Sequence, residues 1–205
     1  MVHVQELRKI RRGLPWAMVL ALIVLTVASV HPASPFPDQT LAEDLSGKPL
    51  DPFSASEGRV VVLLFVRTDC PISNRYAPLL EKLSEEFRGK VNFWLVYPDR
   101  EQTASQIKTH LRDFHYSIPA LRDIKHALVK RSQATVTPEA ALFDPSGRLL
   151  YHGRIDNWYE DFGRSRTAAT THELSDGISA AVAGPDATVI CLVVVMKVLA
   201  SVRRA

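Results

Sequence analysis

Cys70 is the residue of this 205-residue chain best placed for covalent chemistry. Only two cysteines occur, Cys70 and Cys191. Cys70 stands just past Val60–Val66, a continuously apolar and largely β-branched run, and at the start of a stretch with helical periodicity. Sites in α/β sheets form at the carboxyl ends of strands. The free N–H groups and positive dipole end of a helix N-terminus favour thiolate over thiol. The thiolate is the form that attacks a disulfide or a peroxide. Arg67 and Arg75 would add to that stabilisation, and Asp69, directly beside the cysteine, would oppose it. Two thiols make no disulfide framework, so the fold must rest on a hydrophobic core. No Cys/His spacing resembles a metal site. The seven histidines are scattered, and the five-residue step from His110 to His115 puts them on different helix faces. Neither a metal nor a cofactor is expected.

Hydrophobic periodicity outlines the elements that must position Cys70. Val60 to Val66 reads as a strand covered on both faces. Tyr76, Leu79, Leu80, Leu83 and Phe87 fall on one face of a following helix, with Pro78 inside it and expected to kink it. Val91 to Tyr97 is a second buried strand, Ile107, Leu111 and Phe114 mark a second helix, and Ile124, Ala127 and Leu128 a short third one. Residues 139–144 and 148–154 flank Pro145-Ser146-Gly147, a β-hairpin signal. Leu174, Ile178, Ala181 and Val182 mark a last helix. The order β-α-β-α-α-β-β-α, with right-handed crossovers, places helices on both faces of one sheet. The fold class is α/β, in three layers α/β/α.

Arg8, Lys9, Arg11 and Arg12, against Glu6, give the first thirty residues a charge of +3, the formal charge of the whole chain. The remainder balances to zero. A neutral domain has no long-range field for phosphate backbones, so nucleic acid is not an expected partner. Leu14 to Val30 is an uncharged, largely apolar run of 17 residues behind that cationic flank. This is the pattern of a signal peptide or signal-anchor, with the positive flank in the cytoplasm and the domain on the extracytoplasmic side of a bacterial membrane. The expected organisation is a membrane-targeting helix at 1–33, one domain at 34–184 and an apolar tail at 185–205. Residues 31–59, rich in Pro, Ser, Asp and Gly, suit a linker and short extended pieces. Within the tail, the stretch 187–200 contains Cys191 and Lys197 and is too short for a comfortable membrane span.

The segment Thr68-Asp69-Cys70-Pro71-Ile72-Ser73-Asn74-Arg75-Tyr76-Ala77-Pro78, after a Val/Leu/Phe strand, resembles the active-site segment of thioredoxin-fold redoxins. These include the alkyl hydroperoxide reductase and thiol-specific antioxidant family. Cys70 falls at the first cysteine of the thioredoxin Cys-x-x-Cys and Ser73 at the second, and Ala77-Pro78 matches the Ala-Pro of the thioredoxin helix. Val136-Thr137-Pro138-Glu139 resembles the loop that holds a cis-proline against the active-site sulfur. Tyr151-His152-Gly153-Arg154-Ile155-Asp156 is similar to a strand-end segment of exported bacterial redoxins. Over roughly residues 37–184 the resemblance implies a thioredoxin-like fold, a catalytic Cys70, and substrate contacts at Thr137 and Pro138. Thr68, Asp69, Ser73 and Arg75 would support them. Two departures stand out. Ser73 cannot resolve a mixed disulfide. The peroxiredoxin signature places Pro and Thr seven and three residues before its cysteine, where this chain has Leu63 and Arg67.

The leading expectation is a thiol oxidoreductase that exchanges disulfides through Cys70, completed by an external thiol reductant or partner protein. Peroxide reduction at the same sulfur and a non-catalytic peptide-binding module are the alternatives. Cys191 as a resolving partner needs Cα atoms within ~7 Å of each other, which the spacing does not fix. Copper or haem handling needs a Cys-x-x-x-Cys or a Cys/His cluster, and the sequence has neither.

Overall fold

Val60–Phe65 is an interior strand of the sheet, and every one of its six side chains is buried. The computed structural model describes residues 42–161 and 164–183, without the side chains of residues 160 and 161. The proposed leader, the apolar tail and Cys191 lie outside the described residues. The chain divides into two units, Met1–Gln39 and Thr40–Ala205, and all described residues belong to the second.

Seven strands make one sheet in the order β2-β1-β5-β4-β3-β6-β7. These are β1 (Ala42–Glu43), β2 (Pro49–Leu50), β3 (Val60–Phe65), β4 (Val91–Tyr97), β5 (Ala120–Arg122), β6 (Glu139–Phe143) and β7 (Leu149–Gly153). Four helices join them: α1 (Pro71–Glu86), α2 (Ala104–Asp113), α3 (Ala127–Ser132) and α4 (Glu173–Ala183). A separate hairpin pairs β8 (Tyr159–Asp161) with β9 (Arg164–Ser165). β3 runs parallel to β4 and antiparallel to β6.

Side chains alternate along a strand, so a fully buried strand must feed two cores. Val60, Val62 and Leu64 pack with Tyr76, Leu80 and Leu83 of α1, Ile107 of α2, and Leu174 and Ile178 of α4. Val61, Leu63 and Phe65 pack on the opposite face with Leu128 of α3 and Phe143. The three-layer arrangement follows from that division. α1 continues through Pro78, and Thr103 and Gln106 close a reciprocal capping box at the start of α2.

Three features differ from the periodicity. β5, only Ala-Leu-Arg, is a strand because it pairs in parallel with β4, with Leu95 opposite Ala120. Three residues carry too little pattern to be read alone. α3 begins at Ala127, which leaves Ile124 before it. The start is fixed by Asp123, fully buried, whose carboxylate accepts the Ala127 and Val129 N–H groups at 2.8 Å each. The β8–β9 hairpin was not expected either. Among the described residues no helix is long and apolar enough to cross a membrane.

Candidate active site

The register of the central strands sets the geometry of the site. Phe65, the last residue of β3, lies opposite Glu139, the first residue of β6. The segment leading out of β3 and the segment leading into β6 therefore meet at one end of the sheet. Cys70 lies on the first and Thr137-Pro138 on the second.

Cys70 is the N-cap of α1, with extended backbone, and is half-buried. Pro71 occupies the first helical position, where a missing N–H is no loss. The Ser73 N–H donates to Cys70 Sγ at 3.4 Å. The Cys70 thiol in turn donates to the Thr137 carbonyl at 3.6 Å, and the Thr137–Pro138 peptide bond is cis. The cis bond implied for this loop is present, and it is the carbonyl just before Pro138 that reaches the sulfur. Glu139 shapes this loop from below: its Oε2 accepts the Thr135 N–H at 2.7 Å and the Val136 N–H at 3.1 Å. Val136, on the rim, is 64% exposed, the one exposed large hydrophobic side chain among the described residues. Beside it a groove of about 540 Å³ is lined by Phe65, Arg67, Pro98, Val129, Val136 and Thr137, among others.

The remaining sequence-selected residues divide. Ser73 is buried beneath the sulfur-bearing turn, and its hydroxyl has no hydrogen-bond partner. Thr68 contributes its carbonyl, which accepts the Asn74 Nδ2–H at 3.2 Å. Asp69 turns to Arg67, whose Nε and Nη2 donate to the two carboxylate oxygens at 3.0 and 3.2 Å. That guanidinium holds the Asp69 carboxyl below its ordinary range. Arg67 also reaches Asp99 at 2.8 Å, so its charge is shared between two carboxylates. Arg75 donates to the Tyr159 hydroxyl at 3.1 Å. Both arginines thus have partners other than the sulfur.

The fold that brings these two segments together has a recognised counterpart. A family model described as thioredoxin-like matches residues 58–149. The fold is thioredoxin-like. No curated protein sequence matches the chain. Among solved structures, a hypothetical protein of Sinorhizobium meliloti 1021 superposes with a TM-score of 0.60 at 21% identity, covering 71% of this chain and 81% of that one. An uncharacterized conserved protein from Geobacillus kaustophilus gives 0.59 at 18%, covering 76% and 87%. MTB DsbF, in mixed oxidised and reduced forms, gives 0.50 at 20%, covering 69% and 91%. At these identities the likeness establishes the fold.

Relative to that thioredoxin-like frame, the loop 155–159 is tied down onto the cysteine-bearing helix. The Tyr76 hydroxyl donates to buried Asp156 at 2.5 Å, and Asp156 also accepts the Trp158 N–H at 2.8 Å. The Tyr76 ring meets Trp158 edge-on at 5.7 Å. Burial, and then the hydrogen bond to Asp156, push the Tyr76 phenol far above its ordinary range, so it remains a donor. Tyr76→Phe leaves the Asp156 carboxylate short of that donor and is expected to lower stability by about 1.5–3 kcal/mol, the range for a hydrogen bond to a charged group. Chemical denaturation checks this; a change within error would mean that Asp156 is satisfied without Tyr76.

Three contributors escaped the sequence reading: Asn74, His110 and Glu139. Asn74 has a usable signal, since a short amide in the first turns of a helix competes for nearby backbone groups. His110 has none, because its partners lie on other elements, whereas Glu139 holds N–H groups only three and four residues before it.

Proposed function

We propose that this protein is a thiol oxidoreductase that exchanges disulfides through Cys70. The observation that carries the reading is the position of Cys70 Sγ, half-buried at the start of α1, within 3.4 Å of the Ser73 N–H and 3.6 Å of the Thr137 carbonyl. A substrate disulfide laid along the 135–137 loop brings one of its sulfurs to Cys70. The thiolate attacks that sulfur, the Cys70–sulfur bond forms, and the substrate's S–S bond breaks. The proton lost by Cys70 ends on the departing thiol. With a hydroxyl at Ser73, release requires a thiol from outside the motif. That thiol attacks the substrate sulfur, leaves as a disulfide with it, and returns Cys70 to the thiol. Thr137 and Pro138 are the substrate-contacting pair in this scheme, with Val136 and the adjoining groove beside them. Thr68 and Ser73 support it through the loop and the first helical turn. Asp69 and Arg75 act at a distance from the sulfur.

Peroxide reduction at the same sulfur draws less support. Arg67 is engaged by Asp69 and Asp99, and Thr68 offers Asn74 its carbonyl. We place the domain on the extracytoplasmic side of the membrane, on the strength of the cationic flank and apolar run at residues 8–30.

The test is mixed-disulfide formation with oxidised glutathione in a Cys191→Ser background. One glutathionyl group is expected, mapping to the Cys70 peptide, removable by added thiol and absent after Cys70→Ser. Failure of Cys70 to form the adduct would leave the peptide-binding module as the surviving reading, and full turnover after Cys70→Ser would overturn the assignment of the chemistry to Cys70.

A further inference from the structure

His110 is buried at 4% exposure in the last turn of α2, yet both ring nitrogens have partners on other elements. Nε2 lies 2.8 Å from Asn74 Oδ1 and Nδ1 lies 2.8 Å from the Tyr97 hydroxyl. The chemistry of these groups fixes where each proton sits. The Thr68 carbonyl can only accept, so Asn74 must turn its NH2 toward it and its oxygen toward His110. An amide oxygen also only accepts, so His110 carries its proton on Nε2. In a neutral ring Nδ1 is then bare and accepts the Tyr97 O–H. The result is a directed chain from Tyr97 on β4, through His110 on α2 and Asn74 on α1, to the carbonyl two residues before Cys70.

We infer that His110, neutral and protonated on Nε2, is the positioning residue that fixes the Cys70 loop through Asn74, and that its protonation loosens that loop. A second proton on Nδ1 would leave the Nε2–H in place but face the Tyr97 O–H, so either the phenol turns its own hydrogen into a buried environment or the ring moves off the phenol and carries its Asn74 contact with it. Nor does the setting offer the charged ring a counter-ion in contact. The groups packed around it are Tyr97 from β4, Asn74 from α1, and Phe114 and Tyr116 just beyond α2. The Tyr97 and Tyr116 phenols are both pushed up and stay neutral, and Glu81 of α1 acts on Tyr116. Asp113, on the helix of His110 itself, favours the charged ring. Burial outweighs it, and His110 titrates below 6.5. The sign follows directly. An unfolded chain takes up this proton near 6.5, ahead of the folded one. The stabilisation is therefore complete above that pH and is lost as pH falls below it toward the folded value.

The functional consequence rests on Cys70 being the reactive sulfur, whereas the device itself does not, and the experiment separates the two. In a Cys70→Ser background a hydroxyl takes the place of the thiol as the cap of α1, and no thiol titrates at this position. Nitrogen-15 spectra of the imidazole are expected to show the Nε2–H tautomer at neutral pH. The Thr68 to Asn74 amides should shift in one step, with the midpoint of His110 and on the acid side of 6.5. His110→Gln supplies a donor for Asn74 and cannot titrate, so it should keep the neutral-pH amide pattern and abolish the step. In the Cys70 protein, Asn74→Ala should slow mixed-disulfide formation by about tenfold to a hundredfold. An Nδ1–H tautomer, flat loop amides through the His110 midpoint, a step that survives His110→Gln, or an unchanged rate in Asn74→Ala would overturn the inference. An unreactive Cys70 with the amide step intact would overturn the proposed function and leave this device standing.

Discussion

Replacing Ser73 by cysteine is expected to shorten the lifetime of a mixed disulfide at Cys70 by about a hundredfold or more, the scale of gain when a bimolecular attack becomes intramolecular. Ser73 and Cys70 share the first turn of α1, and the Ser73 amide nitrogen is already 3.4 Å from Sγ. The Ser73 side chain is buried with an unpartnered hydroxyl, so the native residue bears the desolvation penalty of a polar group without a hydrogen bond. A thiol is a weaker donor, is commonly buried, and leaves no hydrogen bond behind when it replaces this hydroxyl. The variant should therefore fold with a stability within about 1.5 kcal/mol of the parent, as volume-conserving core changes do. The measurement is the decay of a glutathione adduct on Cys70, followed by mass after removal of free thiol. In the parent the adduct should persist until a thiol is added. In the variant it should decay by itself, releasing reduced glutathione as a disulfide closes between the two positions. An adduct equally long-lived in both would show that the Ser73 side chain does not reach the sulfur, and the single-cysteine account of this motif would lose its footing.

Legibility in the sequence tracked how local each signal was. Val60–Phe65 announced itself because burial on two faces demands six apolar side chains in a row. α1 was visible from Tyr76, Leu80 and Leu83, three residues that all point into one core. β5 was not, since its strand character comes from Leu95 and Val96 on the neighbouring strand rather than from Ala-Leu-Arg itself. At the site, the segments of Cys70 and of Thr137-Pro138 stood out through their resemblance to redoxins, and the pairing of Phe65 with Glu139 supplies the reason the two segments meet. The electrostatic surroundings of the sulfur were less legible. In the sequence Arg67 and Arg75 could add to the stabilisation of a thiolate while Asp69 opposes it; the structure adds Asp99 to the partners of Arg67 and gives Arg75 the Tyr159 hydroxyl, neither of which sequence proximity reveals. His110 is the extreme case. Its spacing to His115 was weighed for metal binding, and the partners that define it, Tyr97 and Asn74, are 13 and 36 residues away.

The largest effect on the cis-proline side is expected from Glu139→Ala. Glu139 is buried at 6% exposure and stands immediately after the cis bond, where its carboxylate holds two successive N–H groups of the loop that carries Thr137. Its other oxygen lies 3.5 Å from His152 Nδ1 on β7. Hydrogen bonds to a charged group contribute about 1.5–3 kcal/mol each. Thr135 and Val136 are exposed, however, so water can replace the carboxylate at their N–H groups. The net loss should then fall near the value for a single such bond, about 2–3 kcal/mol, or a fall in Tm of roughly 5–10 °C. The effect on reactivity should be more diagnostic than the effect on stability. Freed of Glu139, the 135–137 loop no longer holds the Thr137 carbonyl at Sγ, and mixed-disulfide formation should slow by at least about tenfold, as expected when a reacting group is displaced by a fraction of an ångström. Glu139→Gln separates charge from geometry. One amide oxygen can still accept both N–H groups, so this variant should keep most of the rate if hydrogen bonding to the loop is what matters. If Glu139→Gln falls as far as Glu139→Ala, the carboxylate acts through its charge. If neither variant changes the rate at which Cys70 is modified, the cis-proline loop plays no part in presenting a substrate to the sulfur.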